Sequence, residues 1–208
     1  MTVTEIEEIS GKRSRVFLDG SFAFVVYKGE LRKYEIEKGK ELEEEVLDEL
    51  QNKVLPRRAK LRAMNLLKNR QYTEKQLTDK LLLGGYSQEI ARVAVDYVKS
   101  YRYVDDYQYA YDYLACYMER RSRKELEQKL LQKGISRETI DSAAGDLARD
   151  GRVPDEEALL LGLLEKKYNK YDGNGKISDR EKQRIFAYFY RKGFSLELIR
   201  KVLKDTFA

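Results

Sequence analysis

Two periods of hydrophobicity divide the chain. Over the first 28 residues apolar side chains alternate with polar ones, the period of a strand that buries one face. Arg15-Val16-Phe17-Leu18 and Phe22-Ala23-Phe24-Val25-Val26-Tyr27 flank Asp19-Gly20, a two-residue hairpin signal. Thr2 to Ile9 alternates well enough to add a third strand. From Glu41 the period lengthens: Leu42, Val46, Leu47 and Leu50 recur at helical spacing on an acidic helix. Pro56 then opens a basic helix, near the first-turn position where proline is tolerated.

After Pro56 the chain repeats itself. Gly85-Tyr86-Ser87-Gln88-Glu89-Ile90 matches Gly134-Ile135-Ser136-Arg137-Glu138-Thr139-Ile140 and Gly193-Phe194-Ser195-Leu196-Glu197-Leu198-Ile199. Each reads as a tight helix–helix turn. The glycine takes the left-handed conformation past a helix end. The apolar residue packs back, the serine caps the next helix, and the glutamate sits where that helix dipole favours it. The register reaches upstream, where Leu77, Lys80 and Leu81 stand 49 residues before Leu126, Lys129 and Leu130. Thr73-x-x-Gln76 and Ser122-x-x-Glu125 read as capping boxes at the same place in two units. The third unit is displaced by 59 residues, so ten extra residues fall in the polar, glycine-rich stretch around Asn169 to Ser178.

The pattern predicts helices near 56–69, 74–83 and 88–100, then 106–117, 123–133 and 137–149, then 155–170, 179–192 and 196–205. The expected fold is mainly α: tandem three-helix repeats in an elongated curved array, with a small N-terminal β-hairpin unit. The expected parts are a hairpin with an acidic helix over 1–55 and repeats over 56–104, 105–153 and 154–208, the last carrying the insertion.

Composition narrows the chemistry. The chain of 208 residues carries no histidine, which removes histidine metal ligands, Ser-His and Cys-His nucleophile pairs and the commonest general base. No phosphate-binding loop, dinucleotide loop, CxxC or nucleophile elbow is found. The reading is therefore a non-enzyme without a cofactor. The single cysteine, Cys116, fits a reducing cytoplasm and, among Leu114, Ala115 and Met118, reads as a small buried hydrophobe. No apolar run approaches the roughly 20 residues that cross a bilayer, and the first residues have no secretory pattern.

Three local patterns have a chemical and a structural reading. Lys170 to Glu181 resembles a calcium loop, with Asp172, Asn174 and Glu181 as ligands, but Lys170 puts an ammonium where the first carboxylate belongs. A glycine-rich connector followed by a Ser178-x-x-Glu181 capping box accounts for it. The adjacent carboxylates Asp105 and Asp106 stand where a helix begins, which favours capping over metal or acid–base work. Tyr103, Tyr107 and Tyr111, like Tyr109, Tyr113 and Tyr117, recur at i, i+4. Such rows stack bases in some proteins and pack between helices in more.

Charge singles out a surface. Residues 1–55 hold 9 Lys and Arg against 13 Asp and Glu, whereas residues 56–208 hold 32 against 23. Arg57, Arg58, Lys60, Arg62, Lys68, Arg70, Lys75 and Lys80 form one cluster, and Arg120, Arg121, Arg123 and Lys124 a second at a junction of helices. A basic stripe along stacked helices follows a phosphate backbone or pairs with a polymer's carboxylates. The plainer alternative is a solvated face. Recurrence at related places in the repeat favours interaction.

These residues carry a family resemblance. Arg70-Gln71-Tyr72-Thr73-Glu74-Lys75-Gln76-Leu77-Thr78-Asp79-Lys80-Leu81 with Gly84-Gly85, then Tyr103 to Ala110, then Arg120 to Leu126 through Lys133-Gly134-Ile135, resemble the ordered blocks of RecX proteins. The likeness covers residues 56–155 well and reaches the third unit mainly through the repeat. Residues 1–55 resemble the β-hairpin and acidic helix that some members carry. The resemblance implies a monomeric regulator of RecA. Such proteins bind RecA on single-stranded DNA, lie along the filament groove and inhibit strand exchange and co-protease activity, hence recombination and the SOS response. Contact with several protomers would add through effective concentration. The two basic clusters would meet RecA or its DNA. The alternative is a helical protein that binds nucleic acid without RecA.

Overall fold

The structure is a computed structural model and describes residues 1–168 and 177–207. It divides into two compact units, Met1–Asp105 and Asp106–Ala208.

In the first unit β1 (Val3–Ser10), β2 (Arg13–Leu18) and β3 (Ser21–Tyr27) form an antiparallel sheet in the order β1-β2-β3. Leu18 pairs with Ser21 across Asp19 and Gly20, whose φ angles of 47° and 80° are those of the hairpin turn that Asp-Gly favours. Phe24 and Val26 bury on one face of β3, and the strand period of two turns Val25 to the other. A short helix that the hydrophobic pattern did not reveal, α1 (Lys28–Lys33), follows.

Helix α2 (Glu44–Glu49) runs through a π-helical turn, Leu50–Val54, into α3 (Leu55–Leu67). Glu49, Leu50, Val54 and Leu55 all keep right-handed helical angles. Pro56 stands in the first turn of α3, as expected, but α3 follows on from α2 without a break, which the pattern did not predict. Proline removes an N–H and crowds the carbonyl four residues back. The wider π turn just before it lets the chain pass without a break. Helices α4 (Glu74–Leu83) and α5 (Gln88–Ser100) complete the unit. One cluster of buried side chains runs from Val3 through Leu77 and Leu81 to Val104, so sheet and helices share a core.

The second unit holds α6 (Asp106–Tyr117), α7 (Arg123–Gln132) and α8 (Arg137–Arg149), then α9 (Glu156–Tyr168), α10 (Asp179–Arg191) and α11 (Leu196–Thr206). Leu126, Leu130, Ile140 and Leu147 centre the first trio, and Leu160, Ile185, Phe189 and Ile199 the second.

The repeated turn has the expected geometry. Gly85, Gly134 and Gly193 take φ of 88°, 89° and 91°. The N–H groups of Tyr86, Ile135 and Phe194 donate to carbonyls five residues back at 3.2–3.3 Å, closing the helix end. Ser87, Ser136 and Ser195 accept from Ile90, Thr139 and Leu198 N–H at 3.3, 3.2 and 3.2 Å.

Candidate partner-binding surface

Of the twelve basic residues singled out from the sequence, six are engaged within the fold. The Arg58 guanidinium lies 2.8 Å from Glu30, donates to the Val25 carbonyl at 2.8 Å and sits over the Tyr27 ring. That side chain is only 17% exposed, so it ties α3 to the sheet. Lys60 lies over Tyr97 and Arg70 over Tyr72, at 4.9 and 4.3 Å from the ring centres. Lys75 pairs with Asp79 at 2.9 Å. Arg121 pairs with Glu125, and Arg123 with Glu127 at 2.8 Å and Asp141 at 3.7 Å. The Glu127 hydrogen bond holds the Arg123 pKa above its ordinary value.

The other six, Arg57, Arg62, Lys68, Lys80, Arg120 and Lys124, are exposed. Among the described residues none of them pairs with a carboxylate.

The fold adds basic residues that sequence reasoning passed over. Lys12 and Arg13, at the β1–β2 turn, join Arg58 and Arg62 around a cleft of about 630 Å³ floored by Val25, Gly84 and Gly85 and flanked by Tyr27 and Tyr86. Lys12 and Arg13 lie in a segment of net negative charge, which hid them. Burial pushes the Tyr86 hydroxyl above its ordinary pKa, against the pull of Arg58. In the second unit Lys192 joins Arg120 and Arg121, and Arg137 joins Arg123 and Lys124, around two further clefts.

Several residues have duties other than those expected. Ser122 accepts from Glu125 N–H at 3.2 Å, but the Glu125 carboxylate pairs with Arg121 and lies 4.0 Å from Lys129 and Lys192. The reciprocal half of a capping box is therefore missing there. The Ser122 hydroxyl instead donates to the Lys192 carbonyl at 2.6 Å, joining the α6–α7 junction to the α10–α11 turn. Thr73 and Gln76 do form the complete box. Cys116 is exposed, against the expectation of burial. Ala110 and Leu114 define the buried stripe of α6, and a residue two places on points the opposite way.

The tyrosines divide. Tyr107 and Tyr111 donate their hydroxyls to Asp146 and Asp150, tying α6 to α8. Tyr109, Tyr113 and Tyr117 form a half-buried ladder with ring centres 6.3 and 4.7 Å apart, and Lys133 lies over the first two. Of the calcium-loop candidates, Asp172 and Asn174 lie outside the described residues. The Glu181 carboxylate accepts from Ser178 N–H at 3.1 Å and from its hydroxyl at 2.8 Å, completing a capping box. Among the described residues no cluster of three metal-ligating side chains occurs, and no helix is long and apolar enough to cross a membrane.

A sequence model of the first RecX three-helix domain matches residues 59–97, and one of the third matches 155–203. A protein named regulatory protein RecX from Caldanaerobacter subterraneus subsp. tengcongensis is 34% identical over 192 residues, 92% of each chain. The chain belongs to the RecX family. A RecX from Clostridium botulinum is 26% identical over 206 residues, 99% of this chain and 95% of its own. Two solved structures share the fold. One is titled crystal structure of regulatory protein RecX, with a TM-score of 0.62 at 23% identity over 98% of both chains. The other, RecX from Lactobacillus salivarius, gives 0.58 at 20% over 74% of this chain and 97% of its own. The RecX relatives are named regulatory proteins, and the repeated three-helix domains are the family's own.

Proposed function

We propose that this chain restrains RecA. It binds the filament that RecA forms on single-stranded DNA, lowers strand exchange and so damps recombination, repair and the SOS response, in the cytoplasm, as a monomer and without catalysis. Membership of a family of regulatory proteins is the observation that carries this reading. The exposed cations Arg57, Arg62, Lys68 and Lys80 in the first unit, and Arg120 and Lys124 in the second, support it. Their partners would be RecA carboxylates or DNA phosphates. The working parts would be the sheet segment 1–55 and repeats over 56–104, 105–153 and 154–208.

The test is the ATPase activity of RecA on single-stranded DNA. Stoichiometric protein is expected to depress it, and the joint variant Arg57→Glu, Lys68→Glu, Lys80→Glu to depress it less. An unchanged ATPase with the unmodified protein sinks the proposal.

The cleft of Lys12, Arg13 and Arg62 beside Tyr27 and Tyr86 favours a second reading, direct binding of nucleic acid. Phosphates would meet the cations and bases the rings. Retardation of single-stranded DNA without RecA, falling steeply with salt, would support it. Binding that appears only with RecA would count against it.

A further inference from the structure

An apolar slot of about 120 Å³ opens in the α6–α8 trio, between Leu114 on α6, Met118 just past its end, Leu126 on α7 and Ile140 and Leu147 on α8. The repeat itself shows which side chains are missing. Position 144 is alanine here, whereas the equivalent positions hold Val95 and Leu203, which are 4% and 8% exposed and fill their cores. Ala148 likewise stands where the third trio has Phe207, packed against its core. Val153 is 70% exposed at the slot mouth, while its counterpart Val104 is 4% exposed. Two small residues and a valine turned outward thus leave one side chain's worth of core unfilled. Interiors pack with few such voids, and a cavity of about 150 Å³ takes up a benzene ring.

The rim is charged. Arg121, Arg123 and Arg152 line it with a single carboxylate, Glu127. Arg121 is paired with Glu125, and Arg123 with Glu127 and Asp141. Arg152 pairs with no carboxylate among the described residues. Guanidinium forks around an apolar hole select carboxylates placed beside an apolar group.

The geometry points to this slot as the docking site for an acidic peptide of a partner protein, which inserts one leucine- or phenylalanine-sized side chain and sets a flanking carboxylate on Arg152, the rim guanidinium that no carboxylate of the described residues holds. The occupant is identified by chemistry alone, so the site does not depend on the RecA reading.

The test follows the methyl NMR signals of Met118, Leu147 and Val153 in the full chain, titrated with the peptide Asp-Glu-Asp-Phe-Asp-Glu-Asp. Saturable shifts of all three are expected. They should weaken at least tenfold when the peptide's phenylalanine is replaced by serine. Ala144→Leu, which copies Leu203, is expected to fill the slot and abolish the shifts. Arg152→Glu, at an exposed position, is expected to do so through charge even if Ala144→Leu folds poorly. Equal binding of the serine peptide would reduce the site to rim charge and overturn the proposal. So would peptide shifts that survive both substitutions, or shifts that arise only on concentrating the protein, which would assign the slot to a second copy. Because the probe contains no RecA, these outcomes are read independently of the ATPase assay.

Discussion

The α3–α5 and α6–α8 trios share one repeat but use it differently. Positions 58 and 62 are arginine in the first, and their equivalents 107 and 111 are tyrosine. Positions 97 and 101 are tyrosine, and their equivalents 146 and 150 are aspartate. A cation-on-ring contact, Lys60 over Tyr97, joins α3 to α5, whereas phenol-to-carboxylate hydrogen bonds join α6 to α8. The first trio closes its core with Val95 and Val104 and shares it with the sheet; the second leaves the matching place open at Ala144 and Val153. The comparison separates two jobs. Turn chemistry sets the geometry of each trio, and the residues between turns decide whether a face packs inward or waits for a partner.

The largest expected effect breaks the first trio at its turn. Gly85 has φ of 88°, and a Cβ there would stand 2.2 Å from Val25 Cγ2 on the sheet. Gly85→Ala therefore adds a steric clash to left-handed strain and should cost about 3–5 kcal/mol. Gly151, at φ of 78° in the second unit, has nothing within 4 Å of its would-be Cβ. Gly151→Ala should cost about 1 kcal/mol, the conformational strain alone. Urea unfolding of the two variants checks the ratio; equal losses would mean the turn does not press on the sheet.

A smaller contrast isolates packing. Val104→Ala removes a buried side chain and should cost about 1–3 kcal/mol. Val153→Ala, the same change at the equivalent exposed position, should stay within about 0.5 kcal/mol. Equal costs would show that Val153 packs as Val104 does.

What the sequence made legible was local. Glycine, apolar residue and serine at fixed spacing dictate a turn wherever they occur, so all three turns and the trios between them could be read. Leu77, Leu81, Leu126 and Leu130 stood out by period and are all buried. What stayed hidden depended on residues far apart in sequence. Arg58 meets Glu30, 28 residues away, and so leaves the set of available charges. Lys12 and Arg13 reach Arg62 only because the sheet packs beside α3 and the α4–α5 turn. Ser122 and Glu125 have the spacing of a capping box, but neighbouring cations draw the glutamate away. Local signals name an element; competition among distant partners decides where each charge ends.

The smallest effect tests the polarity switch between the trios. The Tyr111 hydroxyl donates to Asp150 at 2.6 Å, and that bond, followed by desolvation and the Asp150 charge, raises its pKa above the ordinary value near 10. Folding thus favours the protonated phenol. The contribution is complete below about pH 10 and disappears as pH rises through the folded value. Tyr111→Phe should therefore lower the urea midpoint by a constant amount up to about pH 10, and by a shrinking amount above it. A Tyr111→Phe deficit that grows with pH would mean the phenol stabilises the fold by a route other than its hydrogen bond to Asp150.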